Sequence, residues 1–301
     1  MSKKVLVIMG GFSSEREVSL VSGRGIVEAL RSEGYTVFEH DLTDAAELVE
    51  TIKREKIDVV FNALHGNWGE DGEIQGLLDM LQIPYTHSGL KASAVGMDKH
   101  LTKLVCESIN IKTPCGEKKT YGQFCNEGTK VVMPYVIKPV CDGSSVGVYI
   151  IRKNDDLKQV SFDDDVEILI EKYIEGQELT VAVLKDKALT VTEMCPRQGF
   201  YDYNAKYSDG VTEHIIPAQI PQKAFDEALL SAEKLHKTLG CKTVSRCDFR
   251  YNPQDGVVLL EINTAPGMTP LSLVPEQYKY CGGTYSELCK ILVEDAACRK
   301  I

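Results

Sequence analysis

Val244-Ser-Arg246-Cys-Asp248-Phe-Arg-Tyr-Asn252, then Pro253-Gln-Asp-Gly256, then Val257-Val-Leu-Leu-Glu261-Ile-Asn263 reads as two strands joined by a tight turn. Asp255-Gly256 is a turn signal, and a four-residue loop over Pro253–Gly256 is a common hairpin length. That register sets Asn252 opposite Val257, Asp248 opposite Glu261 and Arg246 opposite Asn263, and strand alternation puts Arg246, Asp248, Glu261 and Asn263 on one face. Carboxylates directly opposite each other repel unless a cation lies between them. Two carboxylates and an amide oxygen are hard ligands that suit Mg²⁺, an ion that keeps waters and shares phosphate oxygens. A solvated polar face is the competing explanation. The apolar run Val257–Leu260 argues against it, because it marks a buried strand in which unpaired carboxylates are costly.

Upstream the chain changes character. Val5–Met9 is a continuous apolar strand, followed by a Gly10–Ser14 loop and a helix to Ser32. Tyr35–His40 and Val59–Leu64 read as further strands, with helices over Ala45–Lys56 and Ile74–Leu81. Strand–helix alternation implies a parallel, Rossmann-like sheet whose ligand crevice lies at the strands' carboxyl ends, where the loops Gly10–Glu15 and His65–Gly72 leave. A helix from Ser93 to about Ser108 leads into a region richer in strands: Val136–Lys138, Gly147–Arg152, Glu167–Tyr173, and a hairpin of Leu179–Leu184 with Ala188–Glu193. Residues 197–217 follow neither period, and a stretch of that length is expected to be a functional lid. Helices over Phe225–Thr238 and Tyr285–Cys298 complete the chain. The expected class is α/β, α+β in part: an N-terminal domain over 1–92, a central unit over 93–174 and a C-terminal unit over 175–301.

Composition narrows the function. The 301 residues are 43% hydrophobic and 26% charged, enough to fill a sizeable core. A net charge of −10 disfavours nucleic acid as a partner but leaves room for a local anion pocket. The N-terminal apolar run stops after Met9, short of a signal peptide's apolar segment or a membrane span, so a cytoplasmic chain without a membrane partner is expected. Ten cysteines without C-x₂-C spacing read as free thiols serving as small core residues, Cys141 among them.

Three further motifs carry chemistry. Lys138-Pro-Val-Cys-Asp-Gly143-Ser144-Ser145-Val-Gly147 has two glycines that let backbone N–H groups approach phosphate oxygens, two hydroxyls and a lysine, although it is not a Walker loop. Glu171-Lys172-Tyr173-Ile174-Glu175-Gly176-Gln177-Glu178 ends an apolar strand, where backbone could read an adenine and Glu178 a ribose. Pro266-Gly267-Met-Thr-Pro270-Leu271-Ser272-Leu273 offers N–H groups and a hydroxyl to an oxyanion or carboxylate. Phe200–Tyr207 is aromatic-rich, as a lid or a packed loop would be, whereas His40, His100, His214, His236 and Trp68 read as packing or surface residues.

In this order the motifs resemble the ATP-grasp D-alanine–D-alanine ligases. The resemblance rests on Gly10-Gly-Phe-Ser-Ser-Glu15-Arg-Glu-Val-Ser19, Ala63-Leu-His65-Gly66, Gly69-Glu-Asp-Gly72 and Met97-Asp-Lys99. It continues through Lys138-Pro, Gly143-Ser-Ser-Val-Gly147, Tyr201-Asp-Tyr203, Lys206-Tyr207, Glu261-Ile-Asn263-Thr and Pro-Gly267-Met-Thr269. It implies an ATP-grasp fold and a reaction in which one D-alanine carboxylate attacks the γ-phosphate of ATP and a second D-alanine's amine displaces phosphate, yielding D-alanyl-D-alanine for peptidoglycan precursors. Lys99, Lys138 and Ser145 would contact the phosphates, and Glu171, Lys172, Ile174 and Glu178 the adenine and ribose. Asp248, Glu261 and Asn263 would ligate two Mg²⁺ or Mn²⁺ ions, with K⁺ as a further ion in some members.

The same resemblance assigns the oxyanion to Arg246 and Gly267, the first D-alanine to Glu15 and His65, and the second one's carboxylate to Ser272 and Leu273. Lys206 and Tyr207 would close as a lid, sensed through hydrogen bonds linking Glu15, Ser144 and Tyr207. The Lys206-Tyr207 pair goes with D-alanine as acceptor rather than D-serine or D-lactate, and a homodimer is the common assembly. Two positions depart from the pattern: Leu271, preceded by Pro270, stands where a histidine is common, and His87 where a glycine is usual. The rivals are a related ligase with another acceptor and a catalytically silent nucleotide-binding regulator. Against silence stands the complete set Arg246, Asp248, Glu261 and Asn263.

Overall fold

Residues 2–143, 146–196, 212–269 and 272–300 are described by the computed structural model of the chain. Ser144, Ser145, Lys206, Tyr207, Pro270, Leu271 and residues 197–211 of the aperiodic stretch lie outside the described residues, while the end of that stretch, expected to be irregular, holds a strand over Thr212–Ile215. In chain order the N-terminal elements are β1 (Lys4–Gly10), α1 (Arg16–Ser32), β2 (Thr36–Leu42), α2 (Ala45–Glu55), β3 (Val59–Asn62) and α3 (Glu73–Leu81). The strands form a parallel sheet in the order β2-β1-β3. Both faces of β1 are covered, so Val5, Leu6, Val7 and Ile8 are fully buried, which is why it reads as an unbroken apolar run.

The expected helix from Ser93 to Ser108 is two helices, α4 (Leu90–Met97) and α5 (Lys99–Ser108). They part at Asp98, whose backbone is extended and whose carboxylate accepts the Leu101 N–H at 2.8 Å. Aspartate competes with the helical backbone in this way and favours caps over helix interiors. Ala92 on α4 and Cys106 on α5 join the core of the C-terminal sheet.

A four-stranded antiparallel sheet follows: β4 (Gly116–Thr120), α6 (Tyr121–Glu127), β5 (Tyr135–Pro139), β6 (Tyr149–Ile151), a 3₁₀ turn (Asn154–Gln159) and β7 (Glu167–Lys172), in the order β4-β7-β5-β6. Its own small core contains Phe124, Tyr135, Ile137, Ile151, Ile168 and Ile170. The C-terminal part holds β8 (Gln177–Leu184), β9 (Lys187–Pro196), β10 (Thr212–Ile215), α7 (Gln222–Leu239), β11 (Val244–Asn252), β12 (Gly256–Asn263), α8 (Leu273–Tyr280) and α9 (Tyr285–Glu294). Its strands run in the order β10-β9-β8-β11-β12. The last helix ends at Glu294, earlier than its sequence pattern suggests, and Leu288, Cys289 and Leu292 pack beside Val5, Val7 and Ile26 of the first domain.

The β11–β12 hairpin departs from the expected register twice, and the two departures cancel. Asn252 pairs with Gly256, not Val257, so the loop is Pro253–Asp255, one residue shorter than expected. Asn252 Oδ1 accepts the Gln254 and Asp255 N–H groups, and Gly256 takes φ +72, the left-handed closing residue of a three-residue hairpin. Farther along, Phe249 pairs with Leu259 but Asp248 with Glu261, leaving Leu260 as a bulge residue. The bulge inverts the alternation: Val257, Leu259 and Ile262 face the core, whereas Leu260 and Glu261 line cavities on the other side. A regular strand would have forced Val257 and Leu259 onto the same face as Glu261. The bulge satisfies both demands.

All ten cysteines are free, but only Cys106, Cys241, Cys247 and Cys289 are buried. Cys141, expected as a buried thiol, is exposed on the loop after β5. Among the described residues no helix is long and apolar enough to cross a membrane.

Candidate active site

Two cavities meet at Lys99, Asp142, Gly143 and Glu261. The first is lined from all three parts of the chain: Glu15, His65 and Glu70 from the parallel-sheet domain, Asp142 and Gly143 from the loop after β5, and Arg246, Asn263, Gly267, Ser272 and Leu273 from the C-terminal part. The second lies between the two antiparallel sheets, with Val136, Val148, Ile174 and Leu260 as apolar lining and Lys138, Glu178 and Asp248 as polar groups.

In the first cavity, Glu15 is buried just ahead of α1, and its carboxylate lies beside Gly66 and Gly143, so closely that a Cβ at either glycine would crowd it. His65 is held on both ring nitrogens, Nδ1 at 3.1 Å from Glu70 Oε1 and Nε2 at 3.2 Å from Ser22 Oγ. Burial raises the pKa of Glu70, against the His65 hydrogen bond, and the charge of Glu15 adds to the rise. The Ser272 hydroxyl accepts the Thr269 N–H at 2.9 Å immediately before α8. Gly267 has Ser272 Oγ 3.0 Å from where its Cβ would stand, so this approach excludes a side chain without rearrangement.

Where the cavities meet, charges alternate. Arg246 donates to both carboxylate oxygens of Asp248, Nε to Oδ1 at 3.0 Å and Nη2 to Oδ2 at 2.8 Å, and the Thr180 hydroxyl donates to Oδ1 at 2.6 Å. Lys99, at the start of α5, donates to the Asp142 carbonyl and lies 3.9 Å from Glu261 Oε2. Burial pushes its ammonium below the usual lysine range, and Glu261 only partly restores it. Lys138 is equally buried, and burial again acts downward. Here Glu171, 2.7 Å away, and then Glu261 outweigh it, so the Lys138 pKa is raised. Glu171 also takes a bond from Lys103, and the two lysines hold it below the usual carboxylate range despite its burial.

The second cavity shows what the predicted nucleotide residues do. Ile174 is buried in its wall. Glu178 is paired with Arg250 at 2.7 Å, and Arg250 Nη1 also donates to the Gly176 carbonyl at 3.0 Å. Lys172 lines the cavity while its ammonium meets Asp255 at 2.8 Å, and the Glu171 carboxylate is occupied by the two lysines. Sequence reasoning gave no role to Glu70, Lys103, Thr180, Arg250 or Gln277. Glu70 stands within the Gly69–Gly72 motif and could have been found there, but the others carry no local signal.

Residues 110–294 match the family model described as the D-ala D-ala ligase C-terminus, and residues 39–88 match that of the D-ala D-ala ligase N-terminus. The chain belongs to the D-alanine–D-alanine ligase family. It is 49% identical over 304 residues to a D-alanine–D-alanine ligase of Zymomonas mobilis, across 98% of this chain and 94% of that protein. The crystal structure of a Bacillus anthracis D-alanine–D-alanine ligase complexed with ATP is similar at a TM-score of 0.84 and 33% identity, covering 98% of this chain and 97% of that one. That of the VanG D-Ala:D-Ser ligase of Enterococcus faecalis has a TM-score of 0.81 at 27% identity, covering 98% and 99%. The architecture is the ATP-grasp fold, with a parallel-sheet domain ahead of two antiparallel sheets.

D-alanine–D-alanine ligases as a family use ATP and divalent metal ions. Among the described residues no three His, Cys, Asp or Glu converge as a metal cluster. Asp248 in the second cavity, the Asn263 amide in the first and Glu261 in both offer oxygen donors, and such a set fits a hard cation that draws its remaining ligands from phosphate and water.

Proposed function

We propose that the chain joins two D-alanines into D-alanyl-D-alanine, converting ATP to ADP and phosphate through an acyl phosphate, as a step toward peptidoglycan precursors. The observation that carries this is the meeting of two cavities of different chemistry at Lys99, Asp142, Gly143 and Glu261. A nucleotide in the second cavity would present its γ-phosphate to a carboxylate in the first.

Val136, Ile174 and Leu260 enclose the base, and Glu178, oriented by Arg250, accepts ribose hydroxyls. Lys99, Lys138 and Ser145 hold phosphate oxygens, and Glu171 orients Lys138. Glu15, with His65 beside it, receives the first D-alanine's ammonium, which leaves its carboxylate near Arg246. Asp248, Glu261 and Asn263 would hold two Mg²⁺ or Mn²⁺ ions, which when bound would supply the positive charge that offsets the transferring phosphoryl group. The second D-alanine's carboxylate meets Ser272 and the Leu273 N–H at the start of α8, so its amine faces the acyl carbon. Arg246 and the Gly267 N–H stabilise the tetrahedral oxyanion, each by about 3 kcal/mol in sites of this kind. Lys206 and Tyr207 would shield the acyl phosphate from water, a role that the family resemblance ties to Ser144 and Glu15.

Identity of 49% to a D-alanine–D-alanine ligase, against 27% to a D-Ala:D-Ser ligase, favours D-alanine over D-serine as acceptor. A cytoplasmic homodimer is the assembly that goes with this reading. The test is phosphate release from ATP and Mg²⁺ with D-alanine, L-alanine, D-serine or D-lactate, with K⁺ exchanged for Na⁺ in parallel. D-alanine alone should support both release and dipeptide formation, and no D-alanine-dependent release would refute the reading. Glu261→Gln should abolish turnover with an unchanged circular dichroism spectrum. Retained turnover would overturn the metal assignment.

A further inference from the structure

We propose that Gln277 is a positioning residue for the second amino acid: its buried amide fixes the start of α8, with Ser272 and Leu273, against the strand that orients Asp248. The assignment rests on the ligase reading above and adds a residue outside both cavities.

The side chain is fully buried and makes three bonds across an element boundary. Gln277 Oε1 accepts the Ala182 N–H at 2.9 Å, while Nε2 donates to the Thr180 carbonyl at 3.0 Å and to Thr192 Oγ1 at 2.9 Å. A defect in the sheet makes room for it. Val181 pairs with Val191 but Val183 with Ala188, so Leu189 and Thr190 of β9 both lie opposite Ala182. Such a bulge interrupts the ladder, and the Ala182 N–H finds its acceptor on the helix. An apolar side chain at 277 would leave that donor and the Thr180 carbonyl without the amide, in a place water cannot reach.

Thr180 connects this anchor to the chemistry. Its carbonyl accepts from Gln277, and its hydroxyl donates to Asp248 Oδ1 at 2.6 Å, the oxygen that Arg246 Nε also holds. One residue therefore registers the acceptor helix against the Arg246–Asp248 pair. Ser272 precedes Gln277 by little more than one turn, about 7 Å along the axis, so a tilt of α8 about this anchor moves the acceptor site directly. The nucleotide cavity shares no lining residue with α8 and stays in place. With the helix displaced, the second amine no longer reaches the acyl carbon. Water attacks it instead, phosphate leaves with the bonding electron pair, and D-alanine is regenerated.

The test is steady-state kinetics on Gln277→Met, which preserves length and removes all three bonds. The KM for the second D-alanine should rise about tenfold, that for ATP should stay within about twofold, and phosphate should be released in excess of dipeptide. Thr192→Val removes one acceptor and should move the same parameters in the same direction by about threefold. Lys279→Ala, on the exposed side of the same helix, should match the parent protein. An unchanged acceptor KM in folded Gln277→Met, or an equal rise in the KM for ATP, overturns the assignment. If that variant does not fold, the Thr192→Val split decides it. A parent protein without D-alanine-dependent phosphate release would instead overturn the ligase reading, and this assignment with it, before any variant is compared.

Discussion

His87 occupies a backbone conformation that favours glycine, at φ +69, with its ring sealed from solvent against Phe61. The Thr86 hydroxyl lies 3.0 Å from Nδ1, and Nε2 has no hydrogen-bond partner among the described residues. Burial, and secondarily the charge of His65, lowers its pKa to about 3. The unfolded chain takes up this proton near pH 6.5 and the folded chain does not, so stability is full above that pH and falls as pH drops toward 3. At pH 5 the loss from this residue is about 2 kcal/mol. Burial moves His40 and His236 in the same direction, so the comparison must isolate one ring. Urea unfolding of parent and His87→Asn at pH 7 and pH 5 should show the parent losing about 2 kcal/mol more than the variant, since asparagine tolerates the left-handed backbone. Equal losses would mean that His87 takes up a proton in the folded protein as it does in the unfolded one. From sequence the position stood out only as a histidine in place of a glycine. Its left-handed backbone accounts for the usual glycine, and that is set by the turn after Tyr85, which side-chain pattern does not reveal.

At the scale of elements, side-chain period was a good guide wherever one face is buried and a poor one where a single residue interrupts it. Ser93–Ser108 carries enough helical character to read as one helix, yet Asp98 ends one and caps the next. The break places Lys99 as the first residue of α5, with its ammonium directed at the loop after β5. Asp98→Ala should therefore lower stability by about 1 kcal/mol, the usual value of such a cap, and raise the KM for ATP through Lys99. Chemical denaturation together with ATP titration checks both, and a stability loss without a change in ATP dependence would separate the cap from the lysine. The hairpin is the opposite case, in which the sequence register was wrong at the turn and right at the site. Asp248 opposite Glu261 and Arg246 opposite Asn263 hold because a short turn and the Leu260 bulge offset one another. Val257, Val258, Leu259 and Leu260 are all apolar, so period two could not locate the extra residue.

At the scale of the molecule, short motifs were legible because each is a loop or strand end whose chemistry lies within a few residues. Partnerships between distant segments were not: Glu171 with Lys103, Arg250 with Glu178, and Gln277 with Thr180 are joined by folding alone. The site depends on such partnerships, because the first cavity draws its side chains from all three parts of the chain. The second cavity is lined by the central sheet, Lys99 of α5, Glu178 of β8 and the β11–β12 hairpin, and the described residues of the parallel-sheet domain contribute nothing to it. A non-hydrolysable ATP analogue with Mg²⁺ should accordingly slow amide exchange in β5, β7, β11 and β12 and leave β1–β3 as in the free protein. At about a hundred times its dissociation constant the analogue stabilises the closed form by about 2.7 kcal/mol, roughly a hundredfold in exchange rate. Adding D-alanine should extend protection to the loop before α1 and to the strand end at His65, because Glu15 and His65 line only the first cavity. Protection confined to the central sheet would mean that the nucleotide does not bridge the two antiparallel sheets. Protection of β1–β3 by the analogue alone would mean that the three units open and close as one body, and the order of substrate binding could then not be read from which unit lines which cavity.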